Sequence, residues 1–226
     1  MSEAISLPKG FRAAGVVAGL KKSGKKDLAL VVNDGPQLFG SAVFTTNQIV
    51  AAPVIWSREV VKDNQVKAVL LNSGGANACT GPEGFADTHA SAERVAELIS
   101  DSAGDVVICS TGLIGERLAM TKLLAGIESA VMNLSVASIS DAAEAIMTTD
   151  SIPKLANAKG AGFEISGIAK GAGMLAPALA TMLSVVMTDA KVDPRKADRI
   201  FEEVCDLTFN RIDSDGCTST NDTVLF

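Results

Sequence analysis

The 226-residue sequence has no tyrosine, one tryptophan (Trp56) and one histidine (His89). Aromatic residues make up only 4% of it, so any core has to be built from Ala, Val, Leu, Ile and Met. A single histidine excludes sites that need two from one chain. It also makes any Ser-His-Asp triad depend on His89. The four cysteines, Cys79, Cys109, Cys205 and Cys217, contain no C-x-x-C pair. Zinc-site spacing is therefore missing, and free thiols and no metal are expected. No apolar run reaches the roughly 18 residues of a membrane span. Met1 to Pro8 lacks the charged and apolar regions of a signal peptide, so a cytoplasmic protein is expected. The net charge is -6, with Lys and Arg scattered along the chain, which leaves no footprint for nucleic acid.

What is present points to a folded chain. Hydrophobic residues make up 47%, enough for a sizeable core, and 20 glycines imply many tight turns. Strand-like runs occur at Leu28 to Val32, Ala42 to Thr45, Val54 to Trp56, Ala68 to Leu71 and Val106 to Cys109. Phe163 to Ile168 and Met182 to Thr188 follow. Val95, Leu98 and Ile99 share one face of a helix over about 87–100, which places His89 in its first turn with a structural or surface role. Leu123, Leu124, Ile127 and Val131 mark a second helix. Ser138 and Asp141 resemble a capping box before Ala142 to Met147. Asp193 and Pro194 form an N-cap and first-turn pair for a helix to about Leu207, with Ile200, Phe201 and Val204 inward. Strands and helices mix, so the fold class is α/β or α+β. Lys21 to Lys26 (KKSGKK) reads as a solvated loop. Thr223 to Phe226 (TVLF) looks like a strand just begun, so the chain is expected to stop inside a domain.

Five segments could carry chemistry. Lys170 to Thr181 (KGAGMLAPALAT) is a Gly-rich loop delivering a small residue and a hydroxyl onto an apolar strand. The Thr181 hydroxyl could attack the Ala180 carbonyl and give an ester that water cleaves. Thr181 would then be a new N-terminus, with its α-amine as base for its own hydroxyl. That arrangement needs no histidine. Lys170, just before the loop, could pair with a substrate carboxylate. Cys109 to Gly115 (CSTGLIG) follows an apolar strand, where Thr111 and Gly112 could turn backbone N–H groups toward an oxyanion. Asn72 to Gly81 (NSGGANACTG) is a second small-residue loop that lacks Walker spacing. Met147 to Asp150 (MTTD) puts hydroxyls and a carboxylate at a helix end. Asp213 to Thr223 (DSDGCTSTNDT) reads most simply as a solvated loop; without a closing Glu it is a poor calcium loop. Each segment alone is also what a plain turn would look like.

Taken in order, these segments resemble the ornithine acetyltransferase family of arginine biosynthesis, also called bifunctional glutamate N-acetyltransferases. The matching stretches are PKGFRAAGVVAGLK (Pro8 to Lys21), LNSGGANACTG, CSTGLIG, IMTTD, KGAGMLAPALATML and DGCTSTNDT, spread over nearly the whole chain. The resemblance implies a layered α-β-β-α sandwich of the self-processing, Ntn-like kind. It implies cleavage between Ala180 and Thr181, dividing an α-chain region (1–180) from the N-terminal part of a β-chain region (181–226). Thr181 would be the nucleophile, acetylated by N-acetylornithine and then deacetylated by glutamate. Thr111 and Gly112 match the oxyanion-hole pair. Thr148, Lys170 and Thr181 match substrate-contacting positions. The family uses no metal or organic cofactor and assembles from two α and two β chains. Acetyl-CoA is a further candidate donor. Where many relatives carry GSGMIAPNMAT, this chain has Ala178 and Leu179 in place of the Asn and Met, and keeps the Gly, Pro and Ala-Thr. Two other readings stay open: a self-processing aminopeptidase or amidase of related fold, and an inactive truncated fragment.

Overall fold

The computed structural model describes residues 5–174 and 182–226 and shows a mixed α/β chain. A first sheet runs in the order β1 (Phe11–Val16), β2 (Leu28–Asn33), β4 (Ala68–Ser73), β5 (Val106–Thr111). Its first pairings are antiparallel, but β4 and β5 are parallel. The parallel pair is joined by a crossover helix, α2 (Gly81–Ile99), as a parallel connection requires. The second sheet has the order β3 (Ala42–Phe44), β9 (Thr223–Leu225), β8 (Leu183–Thr188), β7 (Phe163–Lys170), β6 (Lys154–Gly160). Here β8 and β9 are the parallel pair, and α5 (Pro194–Leu207) connects them.

The side-chain period of two decides how the sheets stack. In β2, Ala29 and Val31 join one core while Leu28, Leu30 and Val32 join another. In β4 and β5, Val69, Leu71, Val107 and Cys109 go with the first set, and Leu70 and Ile108 with the second. The first core is completed by Ile168, Leu183, Val185 and Met187 of the second sheet and by α4 (Ile139–Ala145). The second is completed by Val95 of α2 and by Leu123 and Ile127 of α3 (Met120–Met132). Both faces of the central strands are thus dry, which is why their sequences are continuous apolar runs rather than alternating ones. Each fully buried Leu or Ile there is worth about 1.5–3 kcal/mol. On the outer face of the second sheet, Met182 and Val224 pack against Phe201 and Cys205 of α5.

Several local expectations are corrected. Val54 to Trp56 lies in helix α1 (Ala52–Val60), with Pro53 in its first turn. Its short apolar run fits a helix face as well as a strand. The helix covers the exposed edge of β5. Ser57 Oγ donates to Ile108 O at 2.8 Å and accepts Ile108 N–H at 3.0 Å, and Trp56 Nε1 donates to Val106 O at 3.0 Å. An otherwise open strand edge is thereby sealed. Ser138 makes no side-chain cap, whereas Asp193 caps α5 by accepting from Arg195 N and Lys196 N. On α5 the inward residues are Phe201 and Cys205, while Ile200 and Val204 are half exposed. α2 starts six residues before the expected Asp87, so His89 sits mid-helix against Trp56, with ring centroids 5.1 Å apart. Strands β1 and β6 were not anticipated; β6 is a largely exposed hairpin strand, too polar to register as a buried run. The basic loop is not simply solvated: Lys21 Nζ donates to Met147 O at 2.6 Å, and Lys26 pairs with Asp141 and Glu144.

All four cysteines are free thiols. Among the described residues no helix is long and apolar enough to cross a membrane, and no group of three potential ligands could hold a metal ion.

Candidate functional site

The candidate residues gather where the two sheets meet, at the carboxyl ends of β4, β5 and β7. Parallel strands splay their loops at that end, which is where open α/β sheets bind ligands. β4 ends in Asn72 and Ser73, β5 in Ser110 and Thr111, β7 in Lys170.

Thr111 is 1% exposed. Its carbonyl accepts Gly74 N–H at 3.0 Å, so the NSGG loop folds against the end of β5. Gly112 follows with φ +134, and a Cβ there would meet Gly75 N at 2.7 Å. Only glycine fits that close approach in that backbone conformation. Asn72 holds the turn by donating from Nδ2 to Gly75 O at 3.0 Å and accepting the Ser110 hydroxyl at 2.6 Å.

Lys170 crosses from the second sheet to the first. It is 2% exposed, and its Nζ donates to Thr111 Oγ1 at 3.1 Å. Burial lowers its pKa to about 8, against the opposing attraction of Asp150 and Asp222. It therefore stays mostly cationic at pH 7, a buried positive charge aimed at the end of β5.

Asp150 ties the MTTD segment to the same place. Its side chain is fully buried and accepts Gly171 N–H at 2.8 Å and Thr148 N–H at 3.2 Å, while Lys154 pairs with it. Burial pulls its pKa up, but Lys154 and the two N–H groups outweigh that and hold it below the usual carboxylate range. Thr148 is itself exposed, so Asp150 rather than Thr148 makes the buried link to Gly171.

The Ser219–Thr223 run overturns the expectation of a solvated loop. Asp213 to Cys217 are exposed, but Ser219, Thr220, Asn221, Asp222 and Thr223 are buried. Most of their hydrogen bonds run to backbone groups. Asn221 Nδ2 donates to Ala76 O at 2.6 Å and Ser110 O at 2.9 Å, and Thr223 N–H donates to Met182 O at 3.0 Å. Asp222 Oδ1 accepts Met182 N–H at 2.8 Å. The signal was in the sequence, because these polar residues run straight into the apolar TVLF.

Among the expected site residues, the structure brings Thr111, Gly112 and Lys170 together and joins the backbone of Thr148 to them through Asp150. Ala180 and Thr181 lie outside the described residues. His89 is remote, held on α2 beside Trp56 and Glu93. A cavity lined by Phe11, Val31, Val66, Val185 and Phe226 opens at the other end of the sheets and contains none of these residues.

Comparison with known proteins points to the same family. The model of the ArgJ family matches residues 12–226. An arginine biosynthesis bifunctional protein ArgJ from Thermobifida fusca is 55% identical over 221 residues, covering 98% of this chain and 58% of that protein. Its Streptomyces coelicolor counterpart gives the same figures. The chain thus spans a little under three fifths of the length of these curated relatives. Among solved structures, ornithine acetyltransferase complexed with ornithine from Mycobacterium tuberculosis superposes with a TM-score of 0.70 at 46% identity, covering 80% of this chain and 97% of that one. ArgJ from Bacillus halodurans gives 0.66 at 29% identity, with 80% and 96% covered. With the family model matching nearly end to end and the family's loops meeting at one strand end, the chain belongs to the ArgJ family.

Proposed function

We propose that this chain carries the self-cleavage and nucleophile portion of an arginine-biosynthetic N-acetyltransferase. The observation that carries the reading is the buried Lys170 ammonium on the Thr111 hydroxyl, 3.1 Å away, beside Gly112. A fixed cation and a strand-end turn of small residues are what an α-amino-acid substrate and an acyl oxyanion need together.

In this reading the Thr181 hydroxyl attacks the Ala180 carbonyl, and hydrolysis of the ester separates region 1–180 from region 181–226. The new α-amine serves as base for its own hydroxyl. N-acetylornithine then acetylates Thr181, and glutamate removes the acetyl group in a second step. Lys170 holds the α-carboxylate of donor and acceptor in one register, Thr148 contributes to binding, and Thr111 with Gly112 stabilises the tetrahedral oxygen. No organic cofactor or metal takes part. Acetyl-CoA is a further candidate donor, and two α and two β chains form the assembly. The stacked sheets, with α2 and α3 on one outer face and α5 on the other, support the four-layer, Ntn-like architecture.

Intact-mass measurement of the folded chain tests the first step. Two fragments divided before Thr181 are expected, and a single mass for Thr181→Ala. An uncut, folded wild type refutes self-cleavage. For the second step, acetyl transfer from N-acetylornithine to glutamate is measured. If water is the sole acceptor, the amidase reading takes its place.

A further inference from the structure

Lys170 is a buried cation that no carboxylate caps. It is 2% exposed, and among the described residues its Nζ makes one hydrogen bond, to the neutral Thr111 hydroxyl at 3.1 Å. An ammonium has three N–H donors, so two remain beyond that bond. Burial penalises the charged form, and an ammonium in such a place tends to shed its proton. The charge therefore needs a counter-charge that steadies it without covering it.

Asp150 is placed to supply one. Its side chain is fully buried, and Oδ1 accepts the N–H of Gly171, the residue directly after Lys170, at 2.8 Å. Oδ2 accepts Thr148 N–H at 3.2 Å. The carboxylate is thus fixed beside the backbone that carries Lys170, and it exerts the strongest attraction on the Lys170 ammonium. No hydrogen bond joins the two side chains. The ion pair of Asp150 is with Lys154, the first residue of β6, which lies opposite Ala169 in the ladder with β7.

The remaining charges that face Lys170 are few. Asp222, just before β9, attracts it, while Lys154 and Lys21, the latter from the turn between β1 and β2, repel it. β5 presents the uncharged Thr111. Even with both carboxylates, burial takes Lys170 down to about 8, so its charge at pH 7 depends on the margin that they provide.

We propose that Asp150 is the positioning residue for Lys170. It pins the backbone at Gly171 and keeps the ammonium protonated, while its own pairing with Lys154 leaves the other Lys170 donors open to a ligand carboxylate. That this carboxylate belongs to an α-amino acid rests on the function proposed above; the action of Asp150 on Lys170 does not.

The test titrates Lys170 in the folded chain. Lysines isotope-labelled at Cε are followed by NMR from pH 5 to 11, and the Lys170 signal is the one missing from Lys170→Met. The wild-type midpoint is expected near 8. Asp150→Asn keeps an oxygen for the Gly171 N–H but removes the charge, so the midpoint should fall by about one pH unit or more. Lys154→Met frees Asp150 and removes a repelling charge, so the midpoint should rise. A merely structural role for the Asp150–Lys154 pair would let water reach Lys170 in either variant and move both midpoints up toward 10.5. An unchanged or raised midpoint in Asp150→Asn therefore overturns the proposal, as does a wild-type midpoint of 10.5. If Asp150→Asn fails to fold, Lys154→Met decides: a raised midpoint with the β7 amides still protected from exchange supports the proposal, and any other result overturns it. Ornithine or glutamate added to the wild type should raise the midpoint, because a bound carboxylate favours the cation. A midpoint that neither moves overturns the amino-acid ligand alone and leaves the role of Asp150 standing.

Discussion

Replacing Lys170 with Met should stabilise the fold while removing its function. Lys170 is buried at 2% exposure, and its pKa falls from 10.5 to about 8 mainly through burial. At 1.36 kcal/mol per tenfold change, the charged form carries a penalty of about 3 kcal/mol in the folded chain. Losing the hydrogen bond to Thr111 costs about 1 kcal/mol, so a net gain of about 2 kcal/mol is expected at pH 7. The pH dependence makes this specific. Below pH 8 both folded and unfolded wild type hold the proton, and the full penalty applies. Between about 8 and 10.5 the unfolded chain keeps the proton and the folded chain releases it, so wild-type stability rises with pH. The advantage of Lys170→Met should therefore be constant up to about pH 8 and vanish by about 10.5. Urea unfolding of both proteins, followed by Trp56 fluorescence at several pH values, measures it. A variant less stable than wild type at pH 7, or a gap unchanged up to pH 10.5, would refute the reasoning. The first result would mean that Asp150 and Asp222 need the cation more than the fold resents it.

Two other perturbations test the frame around the site. Ser57→Ala should cost about 1–3 kcal/mol, because it leaves the buried N–H and C=O of Ile108 without their partner; an unchanged urea midpoint would contradict the edge-sealing role. Gly112→Ala should leave a folded protein in which the proposed cleavage is about 10²–10³-fold slower, since a Cβ 2.7 Å from Gly75 N displaces the turn proposed to hold the oxyanion; cleavage at the wild-type rate would remove Gly112 from the proposed site.

Legibility followed the kind of signal each residue carries. Apolar runs such as Leu28 to Val32 and Val106 to Cys109 marked central strands because both their faces are buried. Asp193 with Pro194 marked the start of α5 because capping is a local interaction. β6 was missed because it is exposed. Val54 to Trp56 was misread because three apolar residues do not distinguish a period of 2 from one of 3.6. Thr111, Gly112 and Lys170 were found through their neighbours in sequence, and the structure brought them together. Asp222 looked like loop polarity, since nothing local shows that a carboxylate is buried.

The sequence by itself determined the family, the α/β class and the candidate residues of the site, because motifs, caps and two-faced apolar runs are properties of contiguous segments. Only the tertiary structure decided that Lys170 reaches Thr111 and that Asp150 joins Thr148 to Gly171. It also decided that Asp222 is sealed against Met182. Those contacts join residues 59, 21 and 40 positions apart, and burial, which sets their charges, is a property of the stacked sheets.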